Sequence, residues 1–270
     1  MRINSLNNYQ YNNNPSFGLY IRTVKDTEAN RVKNANFTLF FRDDLKWNKF
    51  IEYIDEKYKD TDKVNIYNYA SSIGSEAYTM AMLLLENNGE KADKYFPIIA
   101  KDCDSHVIDI AQSGLISIHP EEEININNTT DKKFEKYFTI DRNVRFSYDK
   151  DKETELNAKV NNILKNKVRF ECADITQDYK SIKKDNSIVM CRNFWPYLED
   201  NDTRRRLVKN LYNQLGNSSL LVIGAYDNKY FPINEELIDA GFKQVEGFQY
   251  IYQKDEIKDK LSNSYFLLQR

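Results

Sequence analysis

Polar side chains follow directly after several short apolar runs of the sequence, where they could address a small ligand. The residues concerned are Gly74, Glu76, Asp102, Asp174, Arg192 and Asn193. A carboxylate can accept two hydrogen bonds from a ribose diol, and a glycine before a helix allows a ligand to approach the backbone closely. Together these residue types indicate a site for a nucleotide-like small molecule.

Each of these residues also has a plainer structural role as an alternative. Glu76 could complement the positive end of a helix dipole, Asp174 could be a simple loop aspartate, and either Asp102 or Asp104 could cap the next helix. We assign the cap to Asp104 and the ribose hydroxyls to Asp102, since nucleotide-binding sheets place an acid at the end of the second strand. Neither the G-x-G-x-x-G fingerprint nor a G-K-[ST] loop occurs, which argues against NAD and ATP.

Alternating patterns predict the strands and helices that must position these side chains. The apolar runs predict strands over 64–70, 96–102, 168–174, 187–193 and 219–226. Amphipathic stretches predict helices over 75–89, 104–114 and 203–215. Strand–helix alternation indicates a doubly wound, parallel α/β sheet, in which the carboxyl ends of the strands meet at one edge.

The end of the chain shows a different pattern. The segments FKQVEGFQYIYQ (242–253) and SYFLLQ (264–269) are typical of two strands joined by a charged hairpin instead of a helix. This spacing predicts an antiparallel pair at the edge of the sheet.

Composition limits the classes of function. The 270 residues are 41% hydrophobic and 30% charged, an ordinary globular balance, and the net charge of −2 gives no general attraction to nucleic acid or to an anionic membrane. No run approaches the about 18 apolar residues of a membrane span, and the polar start lacks a signal peptide's apolar core. Cys103, Cys172 and Cys191 form no C-x-x-C pair. We therefore expect a cytoplasmic protein with reduced thiols and no bound metal.

Four segments, in order and spacing, resemble motifs of the CheR-type chemotaxis-receptor methyltransferase family. They are NFTLFFRDD (36–44), SSIGSEAYTMAM (71–82), IIAKDCDSHVIDIAQSGLI (98–116) and MCRNFWPYLED (190–200). The resemblance covers residues 36 to 270. It implies a Rossmann-like class I methyltransferase fold, with a mostly parallel seven-stranded sheet, an antiparallel C-terminal edge strand and helices on both faces.

The resemblance also implies the chemistry and the limits of the domain. Family members bind S-adenosylmethionine, release S-adenosylhomocysteine and convert protein glutamate side chains to methyl esters. Residues 1–35 are then a polar, partly flexible lead-in, and 36–270 form the methyltransferase domain with a small insert around 117–166. The implied partner is an acidic protein substrate, such as a cytoplasmic helix of a receptor.

Site residues carry over position by position from the family motifs. Asn36, Thr38 and Arg42 would close over the cofactor, and Arg42 would also orient the anionic acceptor. Tyr197 would lie near the transferred methyl group as the second catalytic residue. The remaining cofactor residues implied are Gly74, Glu76, Asp102, Asp174, Ile175, Arg192 and Asn193, with Asp102 at the ribose and Asp174 and Ile175 at the adenine.

Departures from the family pattern leave the acceptor open. Ser75 and Ala77 replace an acid and a proline beside Glu76, while Trp195 and Pro196 stand beside the expected substrate pocket. Trp195 could add bulk there or pack in the core, and Pro196 removes an N–H. The helical receptor-docking domain that precedes the first motif in family members is expected to be absent.

Three hypotheses for the function therefore stay open. The leading one is methylation of a carboxylate, which is ionised at pH 7 and needs no general base. The second is a methyltransferase with a small-molecule or other protein acceptor. The third is a degenerate module that binds the cofactor, or nothing, and serves as an interaction or regulatory domain. Arg42 itself could pair with Asp43 or Asp44 instead of a substrate.

Overall fold

Strands and helices alternate along the chain in the computed structural model. It describes residues 24–26, 31–33, 38–118, 120–130, 133–146, 155–198, 200–229 and 232–255. The strands are β1 Val24–Asp26, β2 Arg31–Lys33, β3 Asn65–Tyr69, β4 Ile98–Asp102, β5 Leu115–Ile118, β6 Phe138–Phe146, β7 Glu155–Val160, β8 Val168–Cys172, β9 Ser187–Met190, β10 Leu220–Val222, β11 Phe242–Gln244 and β12 Ile251–Lys254.

Helices connect most of the central strands. They are α1 Trp47–Lys57, α2 Ser75–Asn88, α3 Ser105–Ser113, α4 Pro120–Thr129, α5 Phe134–Tyr137, α6 Asn162–Lys165, α7 Ile175–Asp178, α8 Asn201–Gln214 and α9 Ile233–Ala240. Short 3-10 helices span Gly89–Tyr95, Tyr179–Ser181, Trp195–Tyr197 and Ala225–Asn228. No helix within these described ranges is long and apolar enough to cross a membrane.

The main sheet has seven strands in the order β11-β12-β10-β9-β3-β4-β8. Neighbouring strands are parallel except that β12 runs antiparallel to both β10 and β11. The strand order changes direction between β3 and β9, so the crevice at the carboxyl ends of these two strands is where such sheets bind ligands. The predicted α/β, Rossmann-like, mostly parallel sheet is confirmed.

All five predicted apolar runs contain a strand, namely β3, β4, β8, β9 and β10, and the three predicted helices are α2, α3 and α8. These elements were predictable because each has a face that must be buried. Helix α2 is buried along its whole first part, from Ser75 to Leu84, between the sheet and α1. Edge strand β8 instead alternates buried and exposed side chains.

The predicted single strand over 242–253 was wrong. The segment turns back on itself, with the N–H of Phe248 donating to the carbonyl of Val245 at 3.1 Å. Gly247 has φ +81 at this turn, a conformation open to glycine but costly for other residues. Strands β11 and β12 therefore both come from this segment, and the antiparallel strand lies second from the edge. The segment 264–269 lies outside the described residues.

A second, antiparallel sheet occupies the region where an insert was expected. Its order is β5-β7-β6, and α4 and α5 belong to the same stretch of chain. Helix α4 is tied to the start of the domain, since the buried carboxylate of Glu122 accepts a hydrogen bond from the N–H of Phe40 at 2.8 Å. The limits given for the domain and insert stay predictions.

Two apolar cores enclose the main sheet, one on each face. The second contains β9, β10, α8 and α9, and Leu211 of α8 is fully buried in it. We expect Leu211→Ala to lower the free energy of unfolding by about 3 kcal/mol, because it removes buried methyl groups and leaves a cavity. Thermal unfolding should show a fall in Tm of roughly 10 °C. The exposed Lys209→Ala on the same helix is the control, and equal Tm values for both variants would contradict this core.

Candidate functional site

The loop after β3 adopts an unusual backbone conformation. Ala70, Ser72 and Gly74 have φ values of 53°, 50° and 93°. Left-handed conformations of this kind cost non-glycine residues about 1–3 kcal/mol and concentrate at functional sites. A Cβ at position 74 would lie 2.5 Å from Cζ of Phe170, so glycine is required there for space as well as for conformation.

Asp102 at the end of β4 is held by this loop. Its Oδ2 accepts a hydrogen bond from the N–H of Ser72 at 2.9 Å, and its Oδ1 accepts one from the N–H of Asp104 at 3.0 Å. Burial raises the pKa of Asp102, and these backbone donors oppose the rise. Each carboxylate oxygen keeps a further lone pair, which can accept a hydrogen bond from a ribose hydroxyl.

Of the roles predicted for Asp102 and Asp104, the helix cap formed by Asp104 is confirmed. Asp104 caps helix α3 by accepting a hydrogen bond from the N–H of His106 at 2.9 Å. Asp102 therefore binds the backbone of the loops after β3 and β4 and does not cap the helix.

Arg192, after β9, forms a double ion pair beneath the site. Its Nη1 donates to Oε2 of Glu76 at 2.6 Å, and its Nη2 donates to Oδ1 of Asp44. The Arg192 side chain is only 1% exposed, and its Cζ also lies 5.2 Å from the centre of the Trp47 ring. The other oxygen of Asp44 accepts a hydrogen bond from the N–H of Ala225 at 2.7 Å. Three separate parts of the chain meet at this cation, and Asp44 links them to a fourth, the loop after β10.

Glu76 at the start of α2 is fixed by two side chains. Besides Arg192, Nδ2 of Asn68 donates to its Oε1 at 3.0 Å. Burial raises the pKa of Glu76, while Arg192 and then Arg42 act in the opposite direction. With these partners, Glu76 does more than complement the dipole of its helix.

Asn193 lies in the left-handed region, with φ 57°, at the end of the β9 loop. Its Oδ1 accepts from the N–H of Tyr226 at 3.1 Å, and its own N–H donates to Oδ2 of Asp227 at 2.8 Å. The ring of Tyr197 stacks on that of Tyr226 with centroids 6.3 Å apart. The loops after β9 and β10 thus form one unit.

Trp195 and Pro196 are accommodated within this unit. Trp195 is fully buried, and its Nε1 donates to the carbonyl of Cys191 at 3.0 Å. Its role is therefore core packing. Pro196 lies in the first turn of the 3-10 helix Trp195–Tyr197, where a missing N–H leaves no bond unmade.

Asp174 and Ile175 lie at the end of β8. Asp174 is exposed and caps α7 by accepting a hydrogen bond from the N–H of Thr176 at 2.8 Å, while Ile175 is buried. Asp174 lies near the end of β4, because β4 and β8 pair in parallel with Asp102 opposite Cys172. The adenine role of both residues stays a prediction.

The segment before α1 packs against α2. Thr38 is buried, and the N–H of Phe41 donates to Oγ1 of Thr79 at 3.1 Å. Arg42 lies close enough to Glu76 to lower its pKa, and its carbonyl accepts from Nε1 of Trp47 at 3.0 Å. Asn36, the first of the predicted site residues, lies outside the described residues.

Several buried polar atoms at the site lack a hydrogen-bond partner within the described parts of the chain. They are Oδ1 of Asn68, Oγ of Ser71, the hydroxyl of Tyr78, Nε of Arg192 and Nδ2 of Asn193. Buried polar atoms are nearly always satisfied in folded proteins, so unpaired atoms on β3, on α2 and in the loops after β3 and β9 fit a polar ligand bound at these strand ends. Donors and acceptors of this kind fit the amino-acid and ribose groups of S-adenosylmethionine.

Sequence reasoning missed three residues of this network. Asp44 was considered only as a partner of Arg42, although it binds Arg192. Asn68 is a polar residue inside an apolar strand, a signal that could have been used. Asp227 follows β10, whose carboxyl end carries none of the predicted site residues.

The family of the chain follows from comparison with known proteins. The model of the family described as CheR methyltransferase, SAM binding domain, matches residues 36–238. The chain belongs to this family. Its cofactor is accordingly S-adenosylmethionine, and the predicted relationship to CheR-type methyltransferases is confirmed.

Two similar relatives carry chemotaxis methyltransferase names. One from Borreliella burgdorferi, "Chemotaxis protein methyltransferase", is 29% identical over 200 residues, covering 71% of this chain and 64% of the relative. Another, from Vibrio cholerae, "Chemotaxis protein methyltransferase 2", is 24% identical over 204 residues, covering 73% and 65%. The CheR-family chain described here thus spans a little under two thirds of the length of these curated relatives.

Solved structures give weaker similarities. A TehB-like SAM-dependent methyltransferase from Corynebacterium glutamicum has a TM-score of 0.40 and 13% identity, covering 77% of this chain and 87% of its own. The N-methyltransferase NodS from Bradyrhizobium japonicum, in complex with S-adenosylhomocysteine, has a TM-score of 0.39 and 13% identity, covering 79% and 90%. Values this low add nothing to the strand order, which already defines the fold.

Arg192 is the ion-pair partner of both the buried Glu76 and Asp44, whose side chain is 12% exposed. We expect Arg192→Met to lower the free energy of unfolding by about 3–5 kcal/mol at pH 8, because Glu76 and Asp44 are left without their cation. The pKa of Glu76 is already raised in the fold, so protonation removes the cost and the deficit should shrink as pH falls from 8 to 5. Denaturant unfolding at several pH values measures this. The exposed Arg205→Met should change little, and a pH-independent deficit for Arg192→Met would argue against a buried ion pair.

Proposed function

We propose that the protein transfers the methyl group of S-adenosylmethionine to a carboxylate, forming a methyl ester on glutamate side chains of a protein. The proposed substrates are cytoplasmic helices of chemotaxis receptors, which would place the protein in the cytoplasm. Support comes from the family match over 36–238 and from the names of two relatives.

The observation that carries this proposal is the buried carboxylate of Asp102 at the end of β4, held by the loop that leads from β3 to the helix of Glu76. Asp102 presents spare acceptor valences at the carboxyl end of β4, where nucleotide-binding sheets hold a ribose. Glu76 places negative charge beside the expected methionine end, which carries a positive ammonium and sulfonium. Ser71 and Asn193, in the loops after β3 and β9, each carry a buried polar atom that lacks a partner among the described residues.

Methyl transfer to a carboxylate asks for alignment more than for acid–base catalysis. When bound, the cofactor supplies a methyl carbon that is already activated by its positive sulfur. The acceptor carboxylate is ionised at pH 7, so no side chain has to remove a proton. In this proposal Arg42 orients the anionic acceptor, and Tyr197 fixes its oxygen in line with the methyl group.

The sequence departures that left the acceptor open do not favour a different one. Ser75 and Ala77 are buried in the first turn of α2, Trp195 is part of the core, and Pro196 fits its short helix. The residues implied for cofactor and acceptor are all present. This supports an active enzyme over a degenerate binding module.

Transfer of a radioactive methyl group tests the reaction directly. Protein incubated with tritiated S-adenosylmethionine and receptor cytoplasmic fragments should label the fragments, and mild alkali should release the label as volatile methanol. Methyl esters hydrolyse under these conditions, whereas methyl groups on nitrogen or carbon do not. Alkali-stable label would identify another acceptor. No label, with the cofactor bound, would favour the degenerate module.

Asp102→Asn should weaken cofactor binding. We expect about a 100-fold loss of affinity for S-adenosylhomocysteine, because the ribose diol loses a charged acceptor worth about 1.5–3 kcal/mol per hydrogen bond. Calorimetric titration measures the affinity, and circular dichroism checks the fold. Asp109→Asn, an exposed acid on α3, should bind normally. Unchanged affinity in Asp102→Asn would remove Asp102 from the site.

Tyr197→Phe should separate turnover from binding. The variant keeps the ring that stacks on Tyr226 and loses only the hydroxyl. We expect at least about a tenfold fall in kcat with nearly unchanged affinity for S-adenosylhomocysteine, since the hydroxyl acts on the acceptor. The matched control is Tyr179→Phe, away from the crevice. Equal kcat in Tyr197→Phe and the native protein would assign Tyr197 to packing alone.

A further inference from the structure

Asp227 is a fully buried carboxylate that gathers backbone donors from two strand-end loops. Its Oδ2 accepts from the N–H of Gly224 at 2.7 Å and from the N–H of Asn193 at 2.8 Å. Its Oδ1 accepts from the N–H of Trp195 at 3.1 Å. One carboxylate thereby ties the loop after β9 to the loop after β10.

The two loops carry Asn193, Tyr197 and Tyr226, of which Asn193 and Tyr197 are predicted site residues. Asp227 fixes the backbone of Asn193 in its left-handed conformation, and the N–H of Tyr226 fixes the side-chain oxygen. The Asn193 amide nitrogen is thereby oriented as a donor that lacks a partner among the described residues. Tyr197 belongs to the same unit, because its N–H donates to the carbonyl of Phe194 at 2.9 Å and its ring stacks on Tyr226.

The charge of Asp227 is balanced by amides and not by a cation within the described parts of the chain. Burial raises the pKa of Asp227 to about 7, and the hydrogen bonds from Gly224, Asn193 and Trp195 oppose the rise. The carboxylate therefore changes its protonation state near neutral pH.

Neighbouring elements carry few titratable or charged groups that could shift the pKa of Asp227. Cys191 at the end of β9 is coupled to Asp227, but its pKa is raised well above the ordinary value and the thiol stays neutral. Arg192, which follows Cys191, is engaged by two other carboxylates, and Nζ of Lys229 lies 5.5 Å from the centre of the Tyr226 ring. Helix α9 turns the apolar Ile233 and Leu237 inward, and its Glu236 pairs with an arginine of α8.

We propose that Asp227 is a positioning residue of the methyl-transfer site, and that its ionised form is needed to hold Asn193 and Tyr197 in place for cofactor and acceptor. This inference rests on the proposed function.

Protonation would disturb the unit in a defined way. The backbone N–H groups of Gly224, Asn193, Trp195 and Phe194 all donate to the ionised carboxylate, which has about four acceptor sites. A neutral carboxyl carries one O–H donor in place of one of these acceptor sites, so at least one of the four bonds is then lost. The β9 loop relaxes, and the affinity for cofactor falls with the fraction of ionised Asp227.

Calorimetry with S-adenosylhomocysteine between pH 6 and pH 8 tests this. The native protein should bind about tenfold more weakly at pH 6 than at pH 8, as for one required ionisation near neutrality. Asp227→Asn should bind weakly at pH 8 and lose this pH step, while Asp239→Asn, an exposed acid on α9, should keep it. Asp227→Glu, which retains the charge, should keep the step.

Thermal unfolding distinguishes positioning from support of the fold. The pKa of Asp227 is higher in the folded than in the unfolded chain, so its contribution to stability rises as pH falls from 8 to 6. As pH falls from 8 to 6, the affinity for S-adenosylhomocysteine should therefore fall while Tm does not. Parallel loss of Tm and affinity would indicate a merely structural role.

Carboxyl ¹³C NMR of aspartate-labelled native protein follows the titration without any variant. One aspartate should titrate between pH 6 and pH 8 and shift when S-adenosylhomocysteine binds. Absence of such a titration, or native affinity with a native pH step in Asp227→Asn, overturns the proposal for Asp227 alone. No binding by the native protein at pH 8 overturns the proposed function as well.

Discussion

The buried guanidinium of Arg192 joins parts of the chain that are distant in sequence. It binds Asp44 from the segment before α1 and Glu76 from α2, and it stands at the end of β9. Asp44 in turn accepts a hydrogen bond from the loop after β10. Burying three charges is costly unless they satisfy one another, so each of these loops is held where the others require it. This network fixes the loops at the carboxyl ends of β3, β9 and β10 relative to one another.

A buried polar network of this kind specifies geometry better than an apolar contact would. Apolar packing tolerates shifts, whereas a guanidinium bound to two carboxylates allows only narrow ranges of distance and angle. Asp102 and Asp227 are fixed in a similar way, with backbone N–H groups as the hydrogen-bond donors. The residues that bind cofactor and acceptor in our account are thus positioned by carboxylates that are themselves fixed from several sides.

The sequence predicts most of the sheet, because buried strands and helices need apolar runs that can be read locally. It also predicts Glu76, Asp102, Arg192 and Asn193, since each follows a strand that ends at the same edge. The strand pair at 242–254 was harder, because its turn depends on Gly247 within a short, mixed segment.

Partners that are far apart in sequence could not be predicted. That Asp44 binds Arg192, or that Asp227 holds the β9 loop, follows only from the three-dimensional arrangement of loops. The same holds for Trp195, whose sequence position suggested a pocket and whose side chain lies in the core. Local pattern determines which residues reach the crevice, and tertiary contacts determine what they do there.

A crystal structure of the protein with S-adenosylhomocysteine would test the central claim most directly. Our account predicts the ribose hydroxyls within hydrogen-bond distance of the Asp102 carboxylate, and the amino-acid end beside Glu76 in the crevice between β3 and β9. The sulfur should point toward Asn193 and Tyr197. A ligand bound elsewhere, or one that leaves Asp102 in contact with only the amides of Ser72 and Asp104, would contradict the account.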